Sequence, residues 1–260
     1  MRFSIITVTY NNLRGLNATR ESVRAQTCKD FEWIVMDGGS TDGTQDAMQA
    51  WQHEIAAAVS ERDKGPYDAM NKGLALARGE YVLFINAGDA LAGPDVLAQL
   101  DAAIALNAAD FVFGDSLEEQ IDGKTYYKKS RRPIFRWWGM FTHHQAMAYR
   151  REFLNTLLPA YDLRYKVGAD LDLTWRIFKK TKRVLQVDFA IARCERAGIS
   201  TAQASGAREE QLLMRHEHAK CFALLNVGIM LAQSAVWALR QRAPGLYKAF
   251  RLRRNSAISS

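Results

Sequence analysis

The chain reads as an α/β protein with a mainly parallel central sheet, helices on both faces and a C-terminal helical extension. Three observations predict this. Between Phe3 and Asp115, short apolar runs of strand length alternate with segments of helical period. Carboxylates follow directly on two of those runs, at Asp37 and Asp89, where open α/β sheets bind their ligands. After that the alternation stops, and a long apolar segment from Phe222 to Leu239 leads into a basic tail. With 260 residues and 48% hydrophobic content the chain can bury one large core. The expected division is an α/β domain over residues 1–220 and an appendage of apolar helix and basic tail over 221–260.

The elements follow in order. Phe3 to Thr9 is apolar and β-branched, the first strand, and Asn11-Asn12 turns it into a helix through Leu16 and Val23. Phe31 to Met36 is a second buried strand. It ends in Asp37-Gly38-Gly39-Ser40-Thr41-Asp42-Gly43-Thr44, where Asp42 or Thr44 caps a helix through Met48 and Trp51. Ile55 to Val59 is a weaker third strand. Pro66 suits a first helical turn, Met70, Leu74 and Ala77 recur at helical spacing, and Gly79 is expected to end that helix as a left-handed cap. Tyr81 to Ile85 is a continuous apolar run, the pattern of a strand covered on both faces.

Pro94 to Leu106 is a further helix and Asp110 to Asp115 a further strand. Leu117 to Lys129 forms a hairpin about Asp122-Gly123, a preferred two-residue turn. Arg131 to Trp138 mixes cations with large aromatics. Gln145 to Tyr149 and Val184 to Val187 read as strands, Ala169 to Lys180 and Ala204 to Lys220 as helices.

Composition narrows the function. Cys28, Cys194 and Cys221 are widely spaced and odd in number, against a disulfide framework or a zinc site. The first apolar run is too short for a signal peptide, so a cytoplasmic protein is expected. Net charge is +7, and six of the excess positive charges are Arg240, Arg242, Lys248, Arg251, Arg253 and Arg254, with no acidic residue after Arg240. A nucleic-acid binder would spread its charge over a folded face, so no nucleic-acid partner is expected. A basic tail beside apolar sequence points to anionic lipid.

Three carboxylates stand out: Asp37 and Asp89 past strand ends, and Asp170 at a helix start. Singly, each has a plain alternative, a turn residue for Asp37 and Asp89 and a helix cap for Asp170. Together with their surroundings they are recognisable. Ile6-Thr7-Val8-Thr9-Tyr10-Asn11, the Asp37 to Thr44 turn, Tyr67-Asp68-Ala69-Met70-Asn71-Lys72-Gly73 and Asn86-Ala87-Gly88-Asp89 resemble family 2 glycosyltransferases of the GT-A fold. His144-Gln145-Ala146, Asp162, Ala169 to Leu173 with Arg176, and Gly198-Ile199-Ser200 continue the match over about four-fifths of the chain. The nearest look-alikes are bacterial enzymes of exopolysaccharide assembly, of the colanic acid type.

That resemblance implies inverting transfer of a sugar from a nucleoside diphosphate donor, aided by Mg²⁺ or Mn²⁺, with a lean to GDP-fucose while UDP-hexoses stay open. Asp89 matches the last aspartate of the family's metal motif, and Asn86 stands where many members carry another. Asp37 matches the residue that holds the donor's base or ribose. Thr9 and Tyr10 begin the same loop, and Tyr10 either stacks on the base or is a strand-end core residue. Asp63, Asp68, Asn71 and Lys72 line the next loop and helix, with Lys72 meeting phosphate or simply solvated. Asp170 matches the general base, with Asp172 as its rival on another helix face. His144 approaches the metal, the diphosphate or the acceptor, or is a buried structural histidine, and His143 is structural.

Phe222 to Leu239 has the length of a membrane span, but spanning would place the basic tail outside, against the positive-inside bias. An interfacial helix fits better, and a buried helix closing the domain is the alternative. Arg131 to Trp138 offers a second lipid or acceptor contact. The expected partners are a GDP- or UDP-linked sugar donor, a lipid-linked glycan acceptor and the inner membrane surface. Two other readings compete: a sugar nucleotidyltransferase, which would need a basic glycine-rich loop after the first strand, and a non-catalytic binding subunit. An NAD dehydrogenase is excluded because no Gly-x-Gly-x-x-Gly follows that strand.

Overall fold

A computed structural model of the chain describes residues 1–119, 124–195, 204–219 and 223–242. The Asp122-Gly123 turn, Gly198-Ile199-Ser200, Cys221, Phe222 and the tail beyond Arg242 lie outside the described residues. Two compact units divide the chain, residues 1–203 and 204–260.

The first unit opens with β1 (Phe3–Thr9), α1 (Leu13–Arg24), β2 (Phe31–Asp37), α2 (Thr44–Ala50), β3 (Ala57–Ser60), α3 (Pro66–Leu76) and β4 (Tyr81–Phe84). β1 pairs in parallel with both β2 and β4, and β2 with β3. Because strand side chains alternate, β1 presents Ile5 to one face and Ile6 to the other, and both are fully buried. Ile5 joins Trp33, Val35 and Leu83 in a core closed by Leu16 and Val23 of α1 and Met48 of α2. Ile6 and Met36 face the opposite layer, where Gly73 lets α3 approach so closely that a Cβ there would lie 2.6 Å from Ile6. Burying a side chain of this size contributes roughly 1.5–3 kcal/mol.

The second half departs from the parallel pattern. It contains β5 (Ala90–Leu91), α4 (Val96–Asn107), β6 (Phe111–Glu119), β7 (Thr125–Lys128), β8 (Met147–Arg150), α5 (Arg151–Asn155), α6 (Ala169–Lys180) and β9 (Val184–Glu195). The sheet order is β3-β2-β1-β4-β8-β6-β9-β5, with β7 on β6. β8 runs antiparallel to β4 and β6, β7 to β6, and β5 to β9, while β6 and β9 are parallel. The expected parallel order thus holds from β1 to β4, and the sheet as a whole is mixed. This reversal positions the site. With Leu83 opposite Ala148, the turn leading into β8 reaches the carboxyl ends of the parallel strands.

Helix α6 matches its expected span, and Trp175 and Ile177 are buried. Gly79 is not a left-handed cap. The chain leaves α3 in extended conformation at Ala77, and Gly79 instead allows backbone contact, since a Cβ there would lie 2.5 Å from Phe3 C and Ser4 N. The Arg131 to Trp138 stretch is a 3-10 turn over Pro133–Trp137, and its Trp137 ring meets Trp175 of α6 edge-on at 5.2 Å. Arg136 lies 4.7 Å over the same Trp175 ring, while Ile134 stays more than half exposed.

The second unit contains α7 (Ala204–Ala219) and α8 (Ala223–Arg242). Gln211 meets Gln233, Arg215 meets Asn226, and Arg208 lies over Trp237, so the two helices run antiparallel. No helix among the described residues is long and apolar enough to cross a membrane.

Candidate active site

The carboxyl ends of β1 to β4 share one sheet edge. Asp37, the last residue of β2, is buried, and both its oxygens are held locally. Oδ2 accepts from Ser40 N at 3.0 Å and from Ser60 Oγ at 2.6 Å, and Oδ1 accepts from Ser40 Oγ. Asn11 and Ser40 then stitch the first loop to the second, with Asn11 N donating to Ser40 Oγ and Thr41 N to Asn11 Oδ1. Asp37 therefore shapes the loop through its side chain.

Beside it lies a notch. Gly38 donates its N–H to Thr9 O, and a Cβ at Gly38 would lie 2.9 Å from Asp63 Oδ2 and 3.2 Å from the Tyr10 ring. Only glycine leaves that space between an aromatic face and a carboxylate. Tyr10 is 66% exposed, which rules out the strand-end core reading. Thr9 Oγ1 is buried and has no hydrogen-bond partner among the described residues.

Other expected donor ligands are engaged elsewhere. Asn71 Nδ2 donates to Tyr161 O at 2.8 Å, and Asn71 Oδ1 accepts from Tyr161 N at 2.9 Å, so its amide clamps that backbone to α3. Lys72 Nζ donates to Glu61 Oε1 at 2.6 Å and lies 3.6 Å from Asp68 Oδ2, which raises its pKa. Asp68 Oδ2 also accepts from Lys64 N at 3.0 Å. Asn71 and Lys72 belong to the frame of the loop on this geometry.

At the end of β4, Asp89 N donates to Asn86 O, and Thr19 Oγ1 of α1 donates to Asp89 O at 2.6 Å. Gln145 Nε2 donates to Asp89 Oδ2. The amide oxygens Asn86 Oδ1 and Gln145 Oε1 are both buried without a hydrogen-bond partner among the described residues. Unpaired buried oxygens are costly, and hard divalent cations favour such donors. No group of three His, Cys, Asp or Glu able to hold a metal occurs among the described residues. The set fits a hard divalent cation held by few protein oxygens.

Asp170 lies in the first turn of α6, with Oδ1 accepting from Leu171 N at 2.8 Å. Its Oδ2 faces His144 Nδ1 at 3.6 Å, and His144 Nε2 lies 3.3 Å from Asn86 Nδ2. Burial, with His143 adding to it, pushes the His144 pKa down to about 3, so the ring is neutral. The tautomer that suits both neighbours carries its proton on Nδ1, toward Asp170. Burial first, and then the Asp170 charge, pushes the Tyr149 phenol up. The rival Asp172 is buried against Arg176, whose Nε donates to its Oδ2 at 2.8 Å, and Arg176 Nη1 donates to Leu157 O at 2.7 Å. Asp172 thus anchors the 157–160 loop.

One 3-10 turn, His144–Ala146, engages both carboxylates, Asp170 through His144 and Asp89 through the next residue, Gln145. Gln145 was assigned no role from sequence. Its contact spans 56 positions, and only the strand reversal at β8 creates it. His143 is turned away into a separate cluster, with Nε2 at 3.1 Å from Glu118 Oε1 and 3.0 Å from Lys128 Nζ.

A family model described as glycosyl transferase family 2 matches residues 4–161. A PGL/p-HBAD biosynthesis glycosyltransferase of Mycobacterium tuberculosis is 38% identical over 190 residues, covering 68% of this chain and 69% of the relative. An uncharacterised glycosyltransferase of Nostoc sp. is 26% identical over 228 residues, covering 81% and 70%. Among solved structures, S. aureus TarS in complex with UDP aligns with a TM-score of 0.66 at 19% identity, covering 88% of this chain and 70% of that one. The mannosyltransferase PcManGT from Pyrobaculum calidifontis, in complex with GDP-Man and Mn²⁺, aligns with a TM-score of 0.66 at 19% identity, covering 99% and 80%. At that identity the two structures establish a shared fold.

Proposed function

The chain belongs to glycosyl transferase family 2 and has a GT-A-type α/β fold, and from that premise we propose that it is an inverting glycosyltransferase. It moves a sugar from a GDP- or UDP-linked donor to a hydroxyl of a lipid-linked glycan. The observation that carries this reading is the turn His144–Ala146, which engages Asp89 and Asp170 through consecutive side chains. A cation-binding carboxylate and a proton-accepting carboxylate are thereby tied to one turn, as a displacement at an anomeric carbon requires.

The roles follow from the chemistry. The nucleoside lies in the notch at Gly38, against the exposed Tyr10 ring and the Asp63 carboxylate, on a loop whose shape Asp37 maintains. Asp89, with the amide oxygen of Asn86, would hold Mg²⁺ or Mn²⁺, which when bound neutralises charge on the diphosphate. Asp170 takes the proton of the acceptor hydroxyl as its oxygen bonds to the anomeric carbon. The bond from that carbon to the diphosphate oxygen breaks, and the nucleoside diphosphate leaves with the electron pair. Attack from the face opposite the leaving group inverts the centre. His144, neutral and facing both Asn86 and Asp170, is a positioning residue for that base.

We place the enzyme at the inner face of the membrane, in bacterial exopolysaccharide assembly. The basic residues after Arg240 support contact with anionic lipid, and the exposed Ile134, Phe135 and Trp138 support contact with a lipid-linked acceptor. The test is a thermal-shift screen of GDP- and UDP-sugars with Mn²⁺ or Mg²⁺, since a ligand bound to the native state raises the midpoint. A metal-dependent shift with one nucleotide class, followed by transfer to a lipid-linked glycan, is expected. No shift with any donor in either metal would contradict the proposal.

A further inference from the structure

The helical pair 204–242 is built with its polarity reversed. Arg215, Asn226 and Gln233 are its buried side chains of highest polarity, at 1%, 3% and 8% exposure. Each makes hydrogen bonds across the seam. Arg215 Nε donates to Asn226 Oδ1 at 2.6 Å, Asn226 Nδ2 to Leu212 O at 2.9 Å, and Gln233 Nε2 to Gln211 Oε1 at 2.7 Å. Outside, every exposed position of α8 from 224 to 239 is apolar. Leu224 is 90% exposed, Leu231 60% and Leu239 42%. These three, near seven-residue spacing, form one arc about 22 Å long at 1.5 Å per residue. The exposed positions of α7 include Glu209, His216 and Glu217, so that helix has a water-facing side.

We propose that α8 lies in the plane of an anionic lipid leaflet with the Leu224–Leu231–Leu239 arc immersed, while α7 covers it from the aqueous side. This deepens the membrane association proposed above by assigning its face and its architecture. In lipid, buried polar groups are held by partners within the protein, and the seam pairs Arg215 Nε, Gln233 Nε2 and both polar atoms of the Asn226 amide. The helix is not long and apolar enough to cross, which leaves it lying along the surface. Charge selects the occupant. The sequence after Leu239 carries six cations and no acid, complementary to anionic headgroups. Trp237, stacked under Arg208 at 5.2 Å near the same end, suits the headgroup level.

The test is co-sedimentation of the full chain with vesicles of phosphatidylcholine alone or mixed with phosphatidylglycerol. The comparison variant combines Leu224→Gln, Leu231→Gln and Leu239→Gln, all at exposed positions. Wild type is expected to bind the anionic vesicles, and the variant to bind about tenfold or more weakly with an unchanged unfolding midpoint. Equal binding by variant and wild type, stripped by salt in both, would assign the contact to the tail alone and overturn the proposal. A wild-type dimer that the variant converts to monomer, with no vesicle binding by either, would make the face a contact between copies and overturn it equally. Should the variant fail to fold, quenching by brominated lipid decides. Leu231→Trp on vesicles is expected to show quenching well above that of wild type, and equal quenching contradicts immersion of the arc. Donor-induced thermal shift without vesicles is read separately, so loss of membrane binding and loss of the transferase assignment are distinguishable.

Discussion

Residues 1–195 and 204–242 solve the placement of polar groups in opposite ways. In the first region Leu83 and Leu100 have no exposed surface, and the buried carboxylates Asp37 and Asp89 lie at one sheet edge. In the second, Asn226 and Arg215 are buried while Leu224 is almost fully exposed. The same physics acts in both, because apolar surface is favourable only where its surroundings are apolar. On the proposed reading the first region is the catalytic body and the second the element that meets lipid. At the sheet edge of the first region the buried oxygens Asn86 Oδ1 and Gln145 Oε1 have no hydrogen-bond partner among the described residues and lie beside Asp89, as the proposed cation site requires.

The sharpest test of the catalytic side is Asp170→Asn, which is expected to lower turnover about 10²- to 10⁴-fold. Steady-state kinetics check it, and a fall in kcat with little change in donor KM separates a lost base from a lost binding site. His144→Ala is expected to lower kcat by a smaller factor, with partial rescue by His144→Asn if the residue positions Asp170.

Stability measurements contrast the two regions directly. Leu83→Ala, in the closed core, should cost about 2–5 kcal/mol in denaturant unfolding. Asn226→Ala removes the partner of the Arg215 guanidinium and should cost about 1–3 kcal/mol. Leu231→Ala, on the outer arc, should change stability in buffer by no more than about 0.5 kcal/mol. A large loss from Leu231→Ala without lipid would break the contrast, because it would mean that the leucine is packed in solution.

The smallest expected effect is pH-dependent. His143 Nε2 and Lys128 Nζ hold the Glu118 carboxyl well below the ordinary carboxylate range, against its burial. A depressed folded pKa gives stability that is fully present above the unfolded value of about 4.5 and is lost as pH falls toward the folded value. The midpoint difference between wild type and Glu118→Gln should therefore narrow below about pH 4.5. A difference independent of pH would contradict the assignment.

Much of this was legible from residue order. Local features carry over well: the span of α6 and the position of Asp37 at the end of β2 follow from periodicity and turn chemistry. Features set by distant partners do not. Gln145 reaches Asp89 only because β8 reverses direction, and a short apolar run carries no sign of its direction. Asn71 and Lys72 match the family's motif, with Lys72 expected to meet phosphate or be solvated, and their contacts to Tyr161 and Glu61 carry no signal in that motif. Gly79 was read as a cap when close strand contact requires it. Asn226 and Gln233 stand seven residues apart in the sequence, but the face they take depends on α7.

The central claim is that Asp89 and Asp170 flank one donor site with separate duties. Its most direct test is the midpoint shift caused by a saturating nucleotide sugar, with and without Mn²⁺, in wild type, Asp89→Asn and Asp170→Asn. Asp170→Asn should keep the full metal-dependent shift of wild type, while Asp89→Asn should lose the metal-dependent part. The reverse pattern, with the metal effect surviving in Asp89→Asn and vanishing in Asp170→Asn, would contradict the account.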